Sequence, residues 1–285
     1  MKLISFTRLG TPGFGAAVDG GIVELTGHLD PDILTLKDAI CADVLDLAQG
    51  YIQDLRPDLG WADIALLPVI PDPAKIFCIG VNYVAHREET GRSEVGYPTI
   101  FTRFADSQIA HGQPLVKPTV SDRFDCEGEM AIVIGQGGRN IAAKDAMNHV
   151  AGYSCYNDGS VRDWQRHTSQ FTPGKNFSGS GAFGPYLVTP DEVGDYTKLP
   201  IQTRLNGQIL QDATLADLIF PIPQLIEYIS QFTPLSPGDV IATGTPGGVG
   251  DKRVPPIYMQ PGDTVEVDLG LLGTLRNPVI AEGAP

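Results

Sequence analysis

Basic residues are scarce in this chain: 20 lysines and arginines stand against 34 aspartates and glutamates, a formal charge of −14 over 285 residues. Phosphate backbones and anionic membrane surfaces are gripped by basic stripes, and none is present, which argues against nucleic acid or a membrane as partner. Any anionic small molecule must be met by a few local cations. Cysteine is sparse too. Cys41, Cys78, Cys126 and Cys155 are widely spaced and form no C-x-x-C pair, which fits reduced thiols in a cytoplasm. No apolar run reaches the length of a membrane span, and the opening Met1 to Arg8 meets a turn at Gly10 before a signal core could form. Also missing are a G-x-S-x-G elbow, an H-E-x-x-H motif and cysteine–histidine zinc spacing.

What is present is turn-forming: 33 glycines and 23 prolines accompany 42% hydrophobic residues, a composition for many short elements around a real core. A chain of this length buries roughly three quarters of its unfolded surface, enough for one large core or a core with a satellite. Residues 2–6 and 14–18 alternate weakly, and Asp19-Gly20-Gly21 precedes Ile22 to Leu25, so small hairpins are expected first. Cys41, Val44, Leu45, Ala48, Ile52 and Leu55 then recur at helical spacing and predict one amphipathic helix. Pro68, Pro71 and Pro73 make a stiff connector, where we place a boundary between a small N-terminal domain (1–70) and the main domain (71–285).

Beyond the connector, Lys75 to Ile79 reads as a strand ending at Gly80, the polar half of Val81 to Glu89 as the start of a short helix, and Thr90 to Pro98 as a mobile loop or lid. Pro98 to Arg103 and Met130 to Ile134 are strands, the second an unbroken apolar run that must be buried. Ala142 to Val150 has helix-forming composition, and Gly152 to Tyr156 resumes extended structure. Asn206-Gly207 is the clearest hairpin signal. A helix bearing Leu225, Ile226 and Ile229 follows, and Pro237-Gly238-Asp239 and Pro261-Gly262-Asp263 each enter a strand. The glycine-rich Thr243 to Gly250 stretch lacks G-x-G-x-x-G order, although its glycines permit close backbone approach to a ligand.

Two acidic clusters flank the buried Met130 strand: Asp125-Cys126-Glu127-Gly128-Glu129 and, later, Asn157-Asp158 through Asp163. On an extended segment Glu127 and Glu129 share a face, and like charges that close require water, a shared proton or a cation. With Asp158 they would make an all-oxygen site suited to Mg2+, Mn2+ or Ca2+. Spacing alone favours a plainer alternative, a solvated edge strand carrying two glutamates. Against it, the glutamates run directly into a buried strand. Asp125 and Asp163 read as capping or surface acids. His86 and Glu89 are three apart, so on a helical turn the carboxylate can orient the imidazole for base work; a lone exposed histidine is the commoner case. Lys175 follows Gly174 and can reach an anion, but the Walker spacing is missing. His28, His111 and His149 read as structural or solvated, His149 within the expected helix.

The order of these signals is more specific than any one of them. Ile79-Gly80-Val81-Asn82-Tyr83 with His86 and Glu89, Glu127-Gly128-Glu129, Asn157-Asp158 with Arg162 and Gln165, Gly174-Lys175, and Thr243-Gly244-Thr245-Pro246 closely resemble the fumarylacetoacetate hydrolase superfamily over roughly residues 73–280. The resemblance implies an α+β, mainly β fold, a mixed β-sandwich roll with a small N-terminal α+β domain, usually as a homodimer. It implies one divalent ion, Mg2+ or Mn2+, with Ca2+ acceptable, on Glu127, Glu129 and Asp158. His86 and Glu89 match a lid dyad that activates water, and Lys175 a lysine of the metal shell. Arg162, Gln165 and Tyr83 match groups lining the substrate, and Thr245 one that contacts its carboxylate.

The implied reaction is hydrolysis of the C3–C4 bond of a 2,4-dioxo acid of the acylpyruvate type, leaving a pyruvate enolate stabilised by the ion. Isomerase or oxaloacetate decarboxylase activity is the same-family alternative. A non-catalytic oxo-acid binding protein is a third reading, against which the intact His86 and Glu89 pair speaks. Two departures stand out: Ser178 follows Phe177 where many members carry an aspartate, and Gly159 stands where a branched residue is usual. The pocket near Lys175 is therefore expected to differ in charge and size.

Overall fold

The run from Met130 to Ile134 carries no polar side chain because both of its faces are covered. In the computed structural model, which describes every residue except Asp54, Val95 and Pro285, it belongs to the strand Gly128–Ile134, buried at all seven positions. Met130, Ile132 and Ile134 enter one apolar core with Leu205, Val265, Val267 and Leu275. Ala131 and Val133 enter a second, with Leu3, Phe14, Leu36, Ile40 and Ile76. Alternation along one strand thus feeds two cores.

Around this strand an 11-stranded sheet is assembled. Its main path runs Gly21–Glu24, Thr11–Val18, Lys2–Arg8, Gly181–Val188, Val150–Asn157, Gly128–Ile134, Val240–Ala242, Ile76–Gly80, Thr99–Arg103. A five-stranded sheet that includes Pro200–Leu205, Gln208–Thr214, Thr264–Asp268 and Thr274–Ala281 supplies the apolar residues opposite Met130 and Ile132. The result is the strand-dominated α+β sandwich the sequence led us to expect. The Lys2–Arg8 strand joins the large sheet through Lys2↔Val188 and Leu3↔Leu187, and the Met1 ammonium bonds Thr189 Oγ1 at 2.6 Å and Glu192 Oε2 at 2.9 Å. Among the described residues no helix or strand lies between Leu66 and Ile76, where the prolines fall. Among them, too, no helix is long and apolar enough to cross a membrane.

Turn chemistry follows the sequence closely. Asn206 (φ 53°) and Gly207 (φ 79°) both take positive φ, as a type I′ turn requires, between Pro200–Leu205 and Gln208–Thr214. Two helical expectations are corrected. The apolar spacing from Cys41 to Leu55 is shared between two short helices, Leu36–Cys41 and Leu45–Ile52, with Asp43 left-handed at φ 55° between them. Such a residue cannot continue a right-handed helix, and Thr35 starts the first helix early through a capping box with Asp38. Ala142 to Val150 contributes only the 3-10 turn Ala146–His149. There the Ile141 and Ala143 amides donate to Ser230 Oγ and Glu227 Oε1 of the helix Ile222–Phe232, so the segment's backbone is satisfied from outside.

Candidate metal centre and active site

Sheet register brings the two acidic clusters together. Gly128 pairs with Asn157, and the Asp158 amide donates to the Glu127 carbonyl at 2.8 Å, so the strand ends deliver Glu127, Glu129 and Asp158 to one place. Oxygen atoms of all three lie within 4.8 Å of one another, and all three residues are buried. Gly128 between the glutamates is closely packed: a Cβ there would stand 2.0 Å from Thr203 Oγ1, which would have to move aside. The solvated edge strand is thereby ruled out.

Buried carboxylates need partners, and three cations supply most of them. Lys175 Nζ lies 2.6 Å from Glu127 Oε2 and 2.5 Å from Asp158 Oδ2. Arg162 Nη1 reaches Glu127 Oε1 at 2.5 Å and Nη2 reaches Asp125 Oδ2 at 2.7 Å. Arg103 Nη1 donates to Asp158 Oδ1 at 2.6 Å and to the Gly159 carbonyl at 2.9 Å, while Nη2 donates to Ser180 Oγ at 2.7 Å. Glu129 is left out of this pairing: it accepts from the Gly244 amide at 2.9 Å. Burial, with the charges of Asp158 and Glu127 added, pushes its carboxyl well above the usual range. For Glu127 burial acts the same way but Arg162 and Lys175 outweigh it, and its carboxyl is held low. Four carboxylates, counting Asp125, thus face three cations. The shortfall of one positive charge sits at Glu129, inside an all-oxygen donor set, which fits a hard divalent cation on Glu127, Glu129 and Asp158.

Asp125 is not the surface acid the sequence suggested. It is buried, accepts from Arg162 Nε at 2.9 Å, and binds the Gly250 and Asp251 amides at 3.0 and 2.9 Å. Asp163 is neither cap nor surface acid: it is half-buried in the first turn of the helix Arg162–Gln165, whose N-cap Val161 makes no side-chain bond, and it accepts from Ser121 Oγ at 2.6 Å and from the Trp164 amide at 3.1 Å. Gly159 is explained as well: a Cβ would fall 2.0 Å from the Ser180 carbonyl, so a branched side chain has no room. Ser178 is exposed and outside the cavity lining, so the pocket's charge does not turn on it.

The triad opens into a cavity of about 120 Å³ whose walls include His86, Phe101, Arg162, Gln165, Lys175 and Thr245. His86 lies on the short helix Val84–Glu89, with Nδ1 2.7 Å from Glu89 Oε1, while Glu89 Oε2 accepts from the Gly248 amide at 2.8 Å. Glu89 thereby fixes the ring against the glycine-rich loop and leaves Nε2 for other work. Gln165 Oε1 accepts from Arg162 Nη1 at 3.1 Å. The Thr245 hydroxyl donates to the Gly128 carbonyl at 2.9 Å and accepts from Gln211 Nε2 at 2.7 Å, so its hydrogen is already engaged. Tyr83 is placed elsewhere. It is buried at the start of the Val84–Glu89 helix and borders a separate surface hollow with Glu88, Glu89 and Asp217. His28, His111 and His149 stay outside the cavity, bonded to Tyr51, the Arg276 amide and the Gln136 carbonyl.

Sequence reasoning missed three contributors. Arg103 carried a faint signal, an arginine ending an apolar strand in an acidic chain. Gln211, which also accepts from the Gly128 amide at 2.9 Å, carried none. Asn82 anchors the glycine-rich loop by donating to the Thr243 carbonyl at 2.7 Å; it sat inside a quoted motif without a role.

The whole chain is similar to proteins already known. Oxaloacetate tautomerase FAHD2B, mitochondrial, of Homo sapiens is 39% identical over 98% of this chain and 92% of its own length. The structure of 5-carboxymethyl-2-hydroxymuconate delta-isomerase from Mycobacterium smegmatis is 29% identical with a TM-score of 0.78, covering 99% of this chain and 100% of the other. Maleylpyruvate hydrolase from Sphingobium sp. SYK-6, in complex with manganese (II) ion and pyruvate, is 27% identical with a TM-score of 0.81 over 99% of each chain. The family profile described as fumarylacetoacetate (FAA) hydrolase C-terminal matches residues 75–280, and the chain belongs to the fumarylacetoacetate hydrolase family.

Proposed function

We propose that this protein is a divalent-metal-dependent hydrolase that cleaves the C3–C4 bond of acylpyruvate-type 2,4-dioxo acids. One observation carries the reading: the buried carboxylate triad and His86, whose ring Glu89 holds from behind at 2.7 Å, border the same cavity. Glu127, Glu129 and Asp158 would hold Mg2+ or Mn2+, and Lys175 keeps Glu127 and Asp158 in position. Such an ion, when bound, supplies Lewis-acid polarisation of the 2-oxo group. His86, steadied by Glu89, takes a proton from water as the water oxygen bonds to C4. The C3–C4 bond then breaks, its electron pair passing into the enolate of pyruvate, which takes a proton at C3. One water is consumed and two acids leave. Arg162 and Gln165 orient the substrate's polar end, and Thr245 lines its carboxylate.

A second reading is keto–enol tautomerisation of oxaloacetate, favoured by the 39% identity to a tautomerase over 98% of the chain. His86 would then move a proton to or from C3 without any attack by water. Pyruvate release from a panel of acylpyruvates, in Mg2+ or Mn2+, tests the first reading. Absence of release from every member sinks it, and accelerated decay of enol-oxaloacetate absorbance without pyruvate would establish the second. Four free cysteines suit a reducing compartment, and we propose a cytoplasmic homodimer, to be checked by fractionation and sedimentation.

A further inference from the structure

Side chains hold Gly128 where a neighbouring strand gives out. Val240–Ala242 pairs with Ala131, Ile132 and Val133 and then ends, and Thr243 reaches the Met130 carbonyl through its amide and its hydroxyl, each at 2.9 Å. At Gly128 two side chains take over. Its amide donates to Gln211 Oε1 at 2.9 Å, and its carbonyl accepts from the Thr245 hydroxyl at 2.9 Å. Gln211 and Thr245 are also joined to each other, Gln211 Nε2 donating to Thr245 Oγ1 at 2.7 Å, so the hydrogen bonds close a ring through Gly128, Gln211 and Thr245. The second Nε2 hydrogen goes to the Pro246 carbonyl at 2.8 Å. These partners fix the orientation of the amide, since an N–H faces Oε1 and a carbonyl faces Nε2. Gln211 and Thr245 are both buried, so water does not compete for the ring.

What the ring grips is the spacing of two carboxylates. The Gly128 amide belongs to the peptide bond from Glu127 and its carbonyl to the peptide bond into Glu129, so both peptides between the glutamates are held. Glycine restrains its own backbone least, which leaves that task to the groups its peptides bond. Glu127 has further support from Lys175 and Arg162. Glu129 has no ion pair among the described residues and accepts from the Gly244 amide, one residue before Thr245, so its place depends on its backbone and on this loop. Gln211 itself comes from the strand Gln208–Thr214, and one side chain thus ties the five-stranded sheet to the strand Gly128–Ile134 and to the glycine-rich loop.

We propose that Gln211 is a positioning residue of the metal centre: by closing the ring with Thr245 it fixes both peptides around Gly128 and so sets the separation of the Glu127 and Glu129 carboxylates, on which metal affinity depends. The inference rests on the reading of the triad as a divalent-metal site.

Mn2+ affinity, read by calorimetry and by the EPR signal of free Mn2+, tests it without turnover. Gln211→Met keeps the length of the side chain and removes its hydrogen bonds, and Mn2+ should bind about 10- to 100-fold more weakly. Thr245→Val should lose a similar factor, whereas Thr245→Ser, which keeps the hydroxyl, should stay within about twofold of the parent protein. A ring opens at its first break, so the double change Gln211→Met with Thr245→Val should cost little more than the larger single loss, while independent contacts would multiply. A Gln211→Met protein that melts lower yet keeps the parent's Mn2+ affinity, or losses that multiply in the double change, overturns the positioning role and leaves the metal site standing. If Gln211→Met does not fold, the Thr245 variants decide, and equal Mn2+ binding by Val and Ser overturns the ring. Failure of the parent protein to bind Mn2+ overturns the metal reading and the inference with it.

Discussion

The floor and the mouth of the cavity treat charge in opposite ways. On the floor, Arg103, Arg162 and Lys175 are buried and committed to Asp125, Glu127 and Asp158. At the mouth, Arg92, Arg166 and Lys252 on the cavity lining are exposed, and among the described residues only Arg166 of the three forms an ion pair with an acid of that lining, Asp251. Buried ions are costly to leave unpaired, so the floor is a structural unit as much as a chemical one. Exposed ions cost little, which leaves the mouth free to vary with the substrate. Substitutions on the floor should therefore be read in stability and metal binding, and those at the mouth in recognition.

Arg103→Met would break the contrast most severely. It strips Asp158 of one of its two cations and leaves Ser180 and the Gly159 carbonyl without their donor. A loss of about 3–5 kcal/mol in unfolding free energy is expected from chemical denaturation. Arg103→Lys should recover only part of it, since a point ammonium cannot span the positions the guanidinium reaches. Next comes His86→Ala. This residue touches the floor's space without belonging to its ion pairs, so melting temperature and Mn2+ affinity should hold while turnover falls about 10²- to 10⁴-fold. Retained turnover would remove the dyad from the mechanism.

Glu129 sharpens the comparison through pH. Burial, Asp158 and Glu127 raise its carboxyl in the folded protein, so the native state keeps a proton that the unfolded chain releases near pH ~4.3. Native binding of more protons makes stability fall as pH rises towards the folded pKa. A divalent ion displaces that proton, so the stabilisation by Mn2+, about 2.7 kcal/mol at a hundred times its dissociation constant, should grow with pH. Melting curves in EDTA and in Mn2+ between pH 5 and 8 measure both slopes. Glu129→Gln should flatten the first and erase the Mn2+ response; an unchanged response would remove Glu129 from the ligands.

How much of this was legible beforehand follows the same division between local and distant. The Asn206-Gly207 turn, the Met130–Ile134 strand and the proline-rich connector are written in adjacent residues, and all were read from them. The triad needed the order of motifs, because only register pairs Gly128 with Asn157. Arg103 and Asp125 were missed or misjudged since the groups that give them their roles lie from 37 to 126 residues away in the chain. The Cys41 to Leu55 stripe misled because periodicity does not record a left-handed residue such as Asp43.

The smallest expected effect lies at the mouth and runs opposite to Glu129 in pH. Burial alone would raise the Asp251 carboxyl, but the bonds from Arg166 and Tyr258 hold it below its ordinary value. A carboxyl lowered in the folded state contributes stability that is present above its unfolded pKa of ~3.9 and is lost as pH falls through the folded one. Arg166→Ala should thus cost no more than about 1 kcal/mol at pH 7, less at high salt, and nothing once Asp251 is protonated. Asp251 keeps the Tyr258 hydroxyl in that variant, which is why the cost stays small although its side chain is 4% exposed. A penalty of several kcal/mol, or one that grows in acid, would show that the mouth is built like the floor, and the division between them would fail.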